Sequence, residues 1–193
     1  MPRFAPIPPE SLTPDQRAIH DHIDSVYNTA SGSSPPFTMK DHTGALLGPF
    51  PMMIHAPFFG TAWFDHIMTV SSHPALEPRA RELAILAVGA HYHCPYELYA
   101  HKRVALLPAL GMSQTQVTDA SEGKVPDGLS PAEQVAYEFA MEMLNSKGPV
   151  AKPHYDHAVA LLGKESVLIL MQLVGVYSFV CLMLNGAATE VPE

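Results

Sequence analysis

The sequence predicts an all-α fold, and three observations carry that reading. Nineteen prolines punctuate the chain into blocks, and within those blocks apolar residues recur at helical spacing. Two blocks open with matched helix-start signals. No hairpin signal and no run of alternating strands competes with them. The expected architecture is a bundle of about seven or eight helices in a single domain spanning 1–193.

The first start signal is Leu12-Thr13-Pro14-Asp15-Gln16. Thr13 is the expected N-cap, Pro14 the first helical residue, and Gln16 the return partner of a capping box. Ile19, Ile23, Val26 and Tyr27 then line one face. Over 31–53, Gly44, Gly48, Pro49 and Pro51 argue against regular structure. An irregular stretch of this length is characteristic of lids and binding loops, and it is expected to cover something.

A second helix is expected from Pro57, carrying Phe58, Phe59, Trp63, Ile67 and Val70. A third starts at Pro78, with Glu77 and Glu82 complementing its positive end, and continues through Leu83, Leu86, Ala87 and Ala90. The fourth is expected from Cys94-Pro95 to Leu110, stopping at Gly111. A short helix follows Ser113 and ends at Gly123. Leu129-Ser130-Pro131-Ala132-Glu133 repeats the start signal, and Val135, Phe139, Met143 and Leu144 give that helix its stripe. Segments 153–162 and 164–188 complete the set. The parts group as an N-terminal helix with the long loop (1–53), helices bearing a polar motif (54–123) and C-terminal helices (129–193).

Composition narrows the partners. Apolar residues make up 47% of the 193 and charged residues 16%, against roughly 25% charged in an average domain. That is enough to bury a core and a further surface against other copies of the chain. Eleven Lys and Arg against nineteen Asp and Glu give a formal charge of −8. With no basic run, nucleic acid is not an expected partner, and the apolar content excludes intrinsic disorder. Cys94 and Cys181 cannot build a disulfide scaffold, and the first residues lack the apolar core of a secretion signal. The reading is cytoplasmic, with reduced thiols. Segment 166–185 has the length of a membrane span. Gln172 interrupts it, however, Lys164 and Glu165 precede it, and Glu190 and Glu193 follow it. It reads as a core or oligomer-interface helix, with no membrane partner.

Groups able to do chemistry gather at Glu82, His91, His93, Cys94, Glu97 and His101. On a helix starting near Cys94, the residues Cys94, Glu97 and His101 are spaced i, i+3 and i+7 and share one face. Buried on an otherwise apolar helix, such groups each need a partner. His91-x-His93-x-x-x-Glu97 matches a metal-ligand spacing of β-barrel proteins, but the flanking periodicity is helical, so no metal is expected. His91 and His93, at the turn before the motif helix, join His55, Phe58 and Trp63 as candidate substrate contacts. His20, His22, His42, His73, His154 and His157 read as surface or capping residues.

Arg81-Glu82-Leu83-Ala84-Ile85-Leu86 followed by Cys94-Pro95-Tyr96-Glu97-Leu98-Tyr99-Ala100-His101 resembles the carboxymuconolactone decarboxylase / alkylhydroperoxidase D (AhpD-like) superfamily. The family's redox branch carries Glu, eleven residues, Cys-x-x-Cys, three residues and His. Here the spacing is kept, but Glu97 stands where the second cysteine belongs. A carboxylate cannot attack an oxidised sulfur, so the resemblance implies the branch outside Cys-x-x-Cys. It also implies an AhpD-like bundle that oligomerises through apolar helices as a dimer, trimer or trimer of dimers. No cofactor is implied.

The activity implied is acid–base chemistry on a small enolisable carboxylated lactone or related cyclic acid, by decarboxylation or proton-transfer isomerisation. His101 is the expected acid or base, Glu97 and Glu82 orient it or relay its proton, and Cys94 is an auxiliary group. Two alternatives stand beside this: a thiol-dependent peroxidase, and a small-molecule-binding oligomer without turnover.

Overall fold

A computed structural model describes residues 3–29 and 35–192. Among these, a 3-10 turn (Pro9–Ser11) precedes nine helices: α1 (Pro14–Thr29), α2 (Phe50–His55), α3 (Pro57–Ser71), α4 (Pro78–His91), α5 (Pro95–Ala105), α6 (Gln114–Ser121), α7 (Pro131–Asn145), α8 (Lys152–Leu162) and α9 (Lys164–Ala187). No strand forms among the described residues, which carry one isolated bridge, Lys40 to Leu46. The fold is all-α.

Both start signals act as the sequence suggests. The Thr13 amide donates to Gln16 Oε1 at 3.1 Å and the Gln16 amide returns to Thr13 Oγ1 at 3.4 Å. Ser130 and Glu133 make the same reciprocal pair ahead of α7, and Ser113 and Gln116 make a third ahead of α6. Each box satisfies amides that a helix start otherwise leaves open.

Two expectations change. The 31–53 stretch is not wholly irregular, because α2 forms inside it. Pro51 occupies a first-turn position that needs no N–H, and Met52, Met53 and Ile54 bury themselves behind it. The glycine-serine part at 31–34 lies outside the described residues. The fourth expected helix stops at Ala105 rather than Leu110. Pro108 explains this: its ring meets the carbonyl one turn back, and it drives the preceding residue out of helical geometry.

Helix α4 is the hub, packing against α5, α6, α7 and α9. Every residue from Leu83 to Ala90 is buried. Gly89 permits a close contact with α5, since a Cβ there would lie 2.9 Å from Leu98 Cδ2. Arg79 at the start of α4 pairs with Glu133 and donates to the carbonyls of Leu110 and Gly111 at 2.9 and 3.0 Å. One side chain thereby ties α4, α7 and the turn after α5. A second core cluster joins α1, α2 and α3 through Ile19, Ile23, Phe50, Met53, Ile54 and Phe64.

By length and composition α9 could cross a bilayer, and half of its most apolar stretch is buried in this fold. Its outer face exposes Leu168, Met171, Phe179 and Leu182. Together with Phe59 and Trp63 of α3, three of these residues line an apolar cleft of about 900 Å³.

Candidate active site

Helix α4 ends at His91, and His93 reverses the chain with a positive φ of 46°. A non-glycine residue in this region is uncommon and here serves the reversal. The turn is held from both sides: the Cys94 amide donates to the Gly89 carbonyl at 3.0 Å, and Asn185 Nδ2 donates to the Tyr92 carbonyl at 2.9 Å. Cys94 therefore starts α5 inside the core, with Tyr96 and Glu97 also buried.

The fold joins three of the expected groups around one imidazole. His101 Nδ1 lies 2.8 Å from Glu82 Oε2 of α4. On the other edge of the ring, Nε2 lies 3.2 Å from Glu97 Oε1, one helical turn back. The first contact is aligned as a hydrogen bond. The second is not, so Glu97 Oε1 stays buried without a hydrogen-bond partner. Among the described residues no three metal-binding side chains converge on one point, and here the two carboxylates flank opposite edges of the ring.

Electrostatics separate the roles. Burial alone would lower the His101 pKa, but the carboxylates of Glu82 and Glu97 outweigh it and raise it to about 9. Burial pushes Glu97 up to about 7, with the Glu82 charge adding and His101 opposing. At neutral pH the ring is thus an imidazolium, beside a carboxyl group poised near its own midpoint.

Glu97 and His101 open onto a cavity of about 60 Å³, walled by Phe37, Phe50, Phe64, Tyr96, Tyr177 and Val180, while Glu82 holds the ring from behind. That is room for about four water-sized groups. Tyr177 stands edge-on to the His101 ring, centroids 5.2 Å apart, and its hydroxyl meets Ser71 Oγ at 3.1 Å. The Tyr96 hydroxyl is buried without a partner, and burial keeps it protonated by raising its pKa. Gly48 makes room for it: at φ +72°, any Cβ there would fall 2.4 Å from that hydroxyl. The long loop does cover something, since Phe37, Pro49 and Phe50 close the cavity and the Thr38 amide donates to Tyr99 Oη at 3.2 Å.

Other expected contacts are placed elsewhere. Phe58 is 86% exposed, and Phe59 and Trp63 line the outer cleft. Helix α3 turns Gly60, Phe64 and Ile67 inward, so the residues between them face out. His55 bonds the Ala5 carbonyl at 3.0 Å, His91 packs on Tyr92, and His93 is an exposed turn residue. Cys94 is fully buried and does not line the cavity. His20, read as a surface group, is buried beside Ile19 and Ile23.

Tyr177 and Ser71 were not foreseen from the sequence. The available signal was Tyr177 itself, a phenol within the most apolar helix.

The family model described as "Carboxymuconolactone decarboxylase family" matches residues 57–142. No curated protein matches the sequence. Among solved structures, an alkylhydroperoxidase AhpD core, an uncharacterized peroxidase-related protein from Ralstonia eutropha JMP134, superimposes with a TM-score of 0.76 at 15% identity, covering 100% of this chain and 93% of that one. The debrominase Bmp8, in a variant complexed with 2,3,4-tribromopyrrole, gives a TM-score of 0.72 at 14% identity over 98% of this chain and 91% of that one. A peroxidase-related protein from Silicibacter sp. TM1040 gives 0.65 at 12% identity over 89% and 85%.

Proposed function

Residues 57–142 belong to the carboxymuconolactone decarboxylase family and the chain has the AhpD-like fold; from that premise we propose a cofactor-independent acid–base enzyme. It acts on a small enolisable carbonyl compound, with carboxylated lactones as the class the family description suggests. The observation that carries this reading is the buried Glu82–His101–Glu97 arrangement facing an aromatic cavity. Solved neighbours with peroxidase-related and debrominase descriptions place the same fold under several chemistries, so the reaction is argued from the site.

The geometry redistributes the expected roles. Both ring nitrogens of His101 face carboxylates, whereas Glu97 lines the cavity and its Oε1, 3.2 Å from the ring, makes no hydrogen bond. Glu97 is therefore the group that exchanges a proton with substrate. His101 holds and returns that proton, and Glu82 fixes the ring and sustains its charge. Loss of CO2 beside a conjugated carbonyl leaves an electron pair delocalised as a dienolate, and the Glu97 carboxyl delivers its proton to carbon. The Tyr96 hydroxyl, buried and unpaired, is the donor for the developing enolate oxygen. Isomerisation uses the same parts, with Glu97 first removing the proton. Among the described residues no Lys or Arg lines the cavity, so a substrate carboxylate would sit against aromatic walls, where weak solvation favours its loss. A ring-sized substrate needs more room than this cavity offers, so its binding requires the wall at Phe37 and Pro49 to shift.

A homo-oligomer is part of the proposal, supported by the exposed apolar face of α9. Light scattering of the purified chain tests it. The activity is tested by screening carboxylated lactones and other enolisable acids by mass spectrometry for CO2 loss or isomerisation. Turnover that vanishes in Glu97→Gln while helicity persists supports the assignment. Full turnover in that variant overturns it, and ligand-dependent melting shifts with no turnover point to a binding protein.

A further inference from the structure

The acid–base groups of the site come from α4 and α5, but part of the cavity wall comes from the other core cluster. Tyr27, near the end of α1, lines the cavity together with Glu97 and Tyr96. Ile19 and Ile23, two turns and one turn earlier on the same face, anchor α1 in that cluster. The Tyr27 ring stands edge-on to Phe50, centroids 5.8 Å apart, and tilted against Phe64 at 6.3 Å. Both of those rings line the cavity too. In the sequence Tyr27 belongs to an apolar stripe, which accounts for the ring but not for the hydroxyl, since phenylalanine would pack the same way. The residue also lies outside 57–142, so the family match does not account for it. Burial and the Glu97 charge push the Tyr27 phenol up to about 12, so it keeps its proton at neutral pH. Of the other phenols in the wall, Tyr177 is engaged with Ser71 Oγ, whereas the Tyr96 hydroxyl is open to a ligand.

We propose that Tyr27 is a second hydrogen-bond donor to the substrate oxygen that becomes anionic, so that α1 and α5 together supply a two-phenol oxyanion site. The inference rests on the acid–base reading of the cavity and adds a substrate contact from the N-terminal helix. Among the described residues no Lys or Arg lines the cavity, so charge developing on a carbonyl oxygen is met there by neutral donors. An enolate oxygen has lone pairs for two of them. Neither phenol gives up its proton: each hydrogen bond tightens as the oxygen gains charge, and the proton that moves to or from carbon is that of Glu97. One preorganised donor of this kind is worth about 10²- to 10³-fold in rate.

The test compares the intact chain with Tyr27→Phe, which keeps the ring against Phe50 and Phe64 and removes one oxygen. The probe is 4-nitrophenol, whose ionised form is yellow and carries its charge on an enolate-like oxygen. Below the Glu97 midpoint of about 7, the wild-type chain should draw the bound probe towards the yellow anion. Tyr27→Phe and Tyr96→Phe should each bind that anion about tenfold to a hundredfold more weakly, the scale of a hydrogen bond to a charged group. With an identified substrate, Tyr27→Phe should lower kcat by about 10²-fold and leave KM nearly unchanged. Anion binding and kcat that stay at wild-type values in Tyr27→Phe, while Tyr96→Phe weakens the probe, overturn the proposal and leave the acid–base reading standing. A wild-type chain that never yields the yellow anion overturns both. Where Tyr27→Phe does not fold, the wild-type chain still decides: the Tyr27 ring carbon bearing the hydroxyl should shift in its carbon-13 spectrum when the probe binds, and an unmoved resonance overturns the proposal.

Discussion

Two hollows of this molecule differ in nearly every respect. The cleft between α3 and α9 has about 900 Å³ and is walled by apolar groups such as Trp63, Met171 and Phe179. The cavity beneath the long loop has about 60 Å³, yet a carboxylate, an imidazole and several phenols line it, with a second carboxylate on the imidazole's far edge. The larger hollow offers surface and the smaller one offers chemistry. Adjacent residues of α3 serve both, since Trp63 faces the cleft while Phe64 and Ile67 wall the cavity. The proposed site therefore follows the convergent buried ionisable groups rather than size.

That contrast breaks first at the imidazole. Glu97→Gln and His101→Ala should each lower turnover of an identified substrate by about 10²- to 10⁴-fold, the range of a positioned acid–base group. Far-ultraviolet circular dichroism should be unchanged. Turnover left intact by either substitution would dissolve the distinction between the two hollows.

Stability against pH gives the next largest effect. Glu97 has its folded pKa raised from 4.5 to about 7, so its contribution is full below the unfolded value and is lost as pH rises through 7. His101 is raised from 6.5 to about 9, so its contribution is full below 6.5 and is lost as pH rises through 9. Both act in one direction. Urea midpoints should fall steadily from pH 5 to pH 9, and less steeply in a Glu97→Gln, His101→Gln double variant.

Gly48→Ala should cost about 1–3 kcal/mol, because the new methyl meets the Tyr96 ring and the backbone sits at positive φ. Thermal denaturation checks the stability, and turnover should fall with it as Tyr96 is displaced. On the cleft side, Phe179→Ala removes an edge-to-face contact with Trp63 at 5.0 Å, a loss of about 1 kcal/mol. It should leave the pH dependence of turnover untouched.

Legibility followed the same division. The helix starts were readable because capping is local: Thr13 with Gln16 and Ser130 with Glu133 need only residues three apart. Glu97 with His101 was readable for the same reason, being one turn apart. Glu82 was placed by resemblance to a known spacing. Tyr177 and Ser71 were not readable, because α9 reaches the site from the far end of the sequence and only packing brings it there. Phe58 and Trp63 misled because an aromatic-rich helix start does not say which face turns inward. Helix α2 was hidden by prolines that deny structure inside a helix yet suit its first turn.

The central claim is that His101 is held as an imidazolium between two carboxylates while Glu97 titrates near neutrality. It needs no substrate to test. Nuclear magnetic resonance titration of the His101 ring nitrogens and the Glu97 side-chain carboxyl measures both groups in the resting protein. The account predicts a ring protonated up to about pH 9 and a carboxyl midpoint about 7. An imidazole that loses its proton below 6.5, beside a Glu97 carboxyl titrating near its ordinary 4.5, would contradict it.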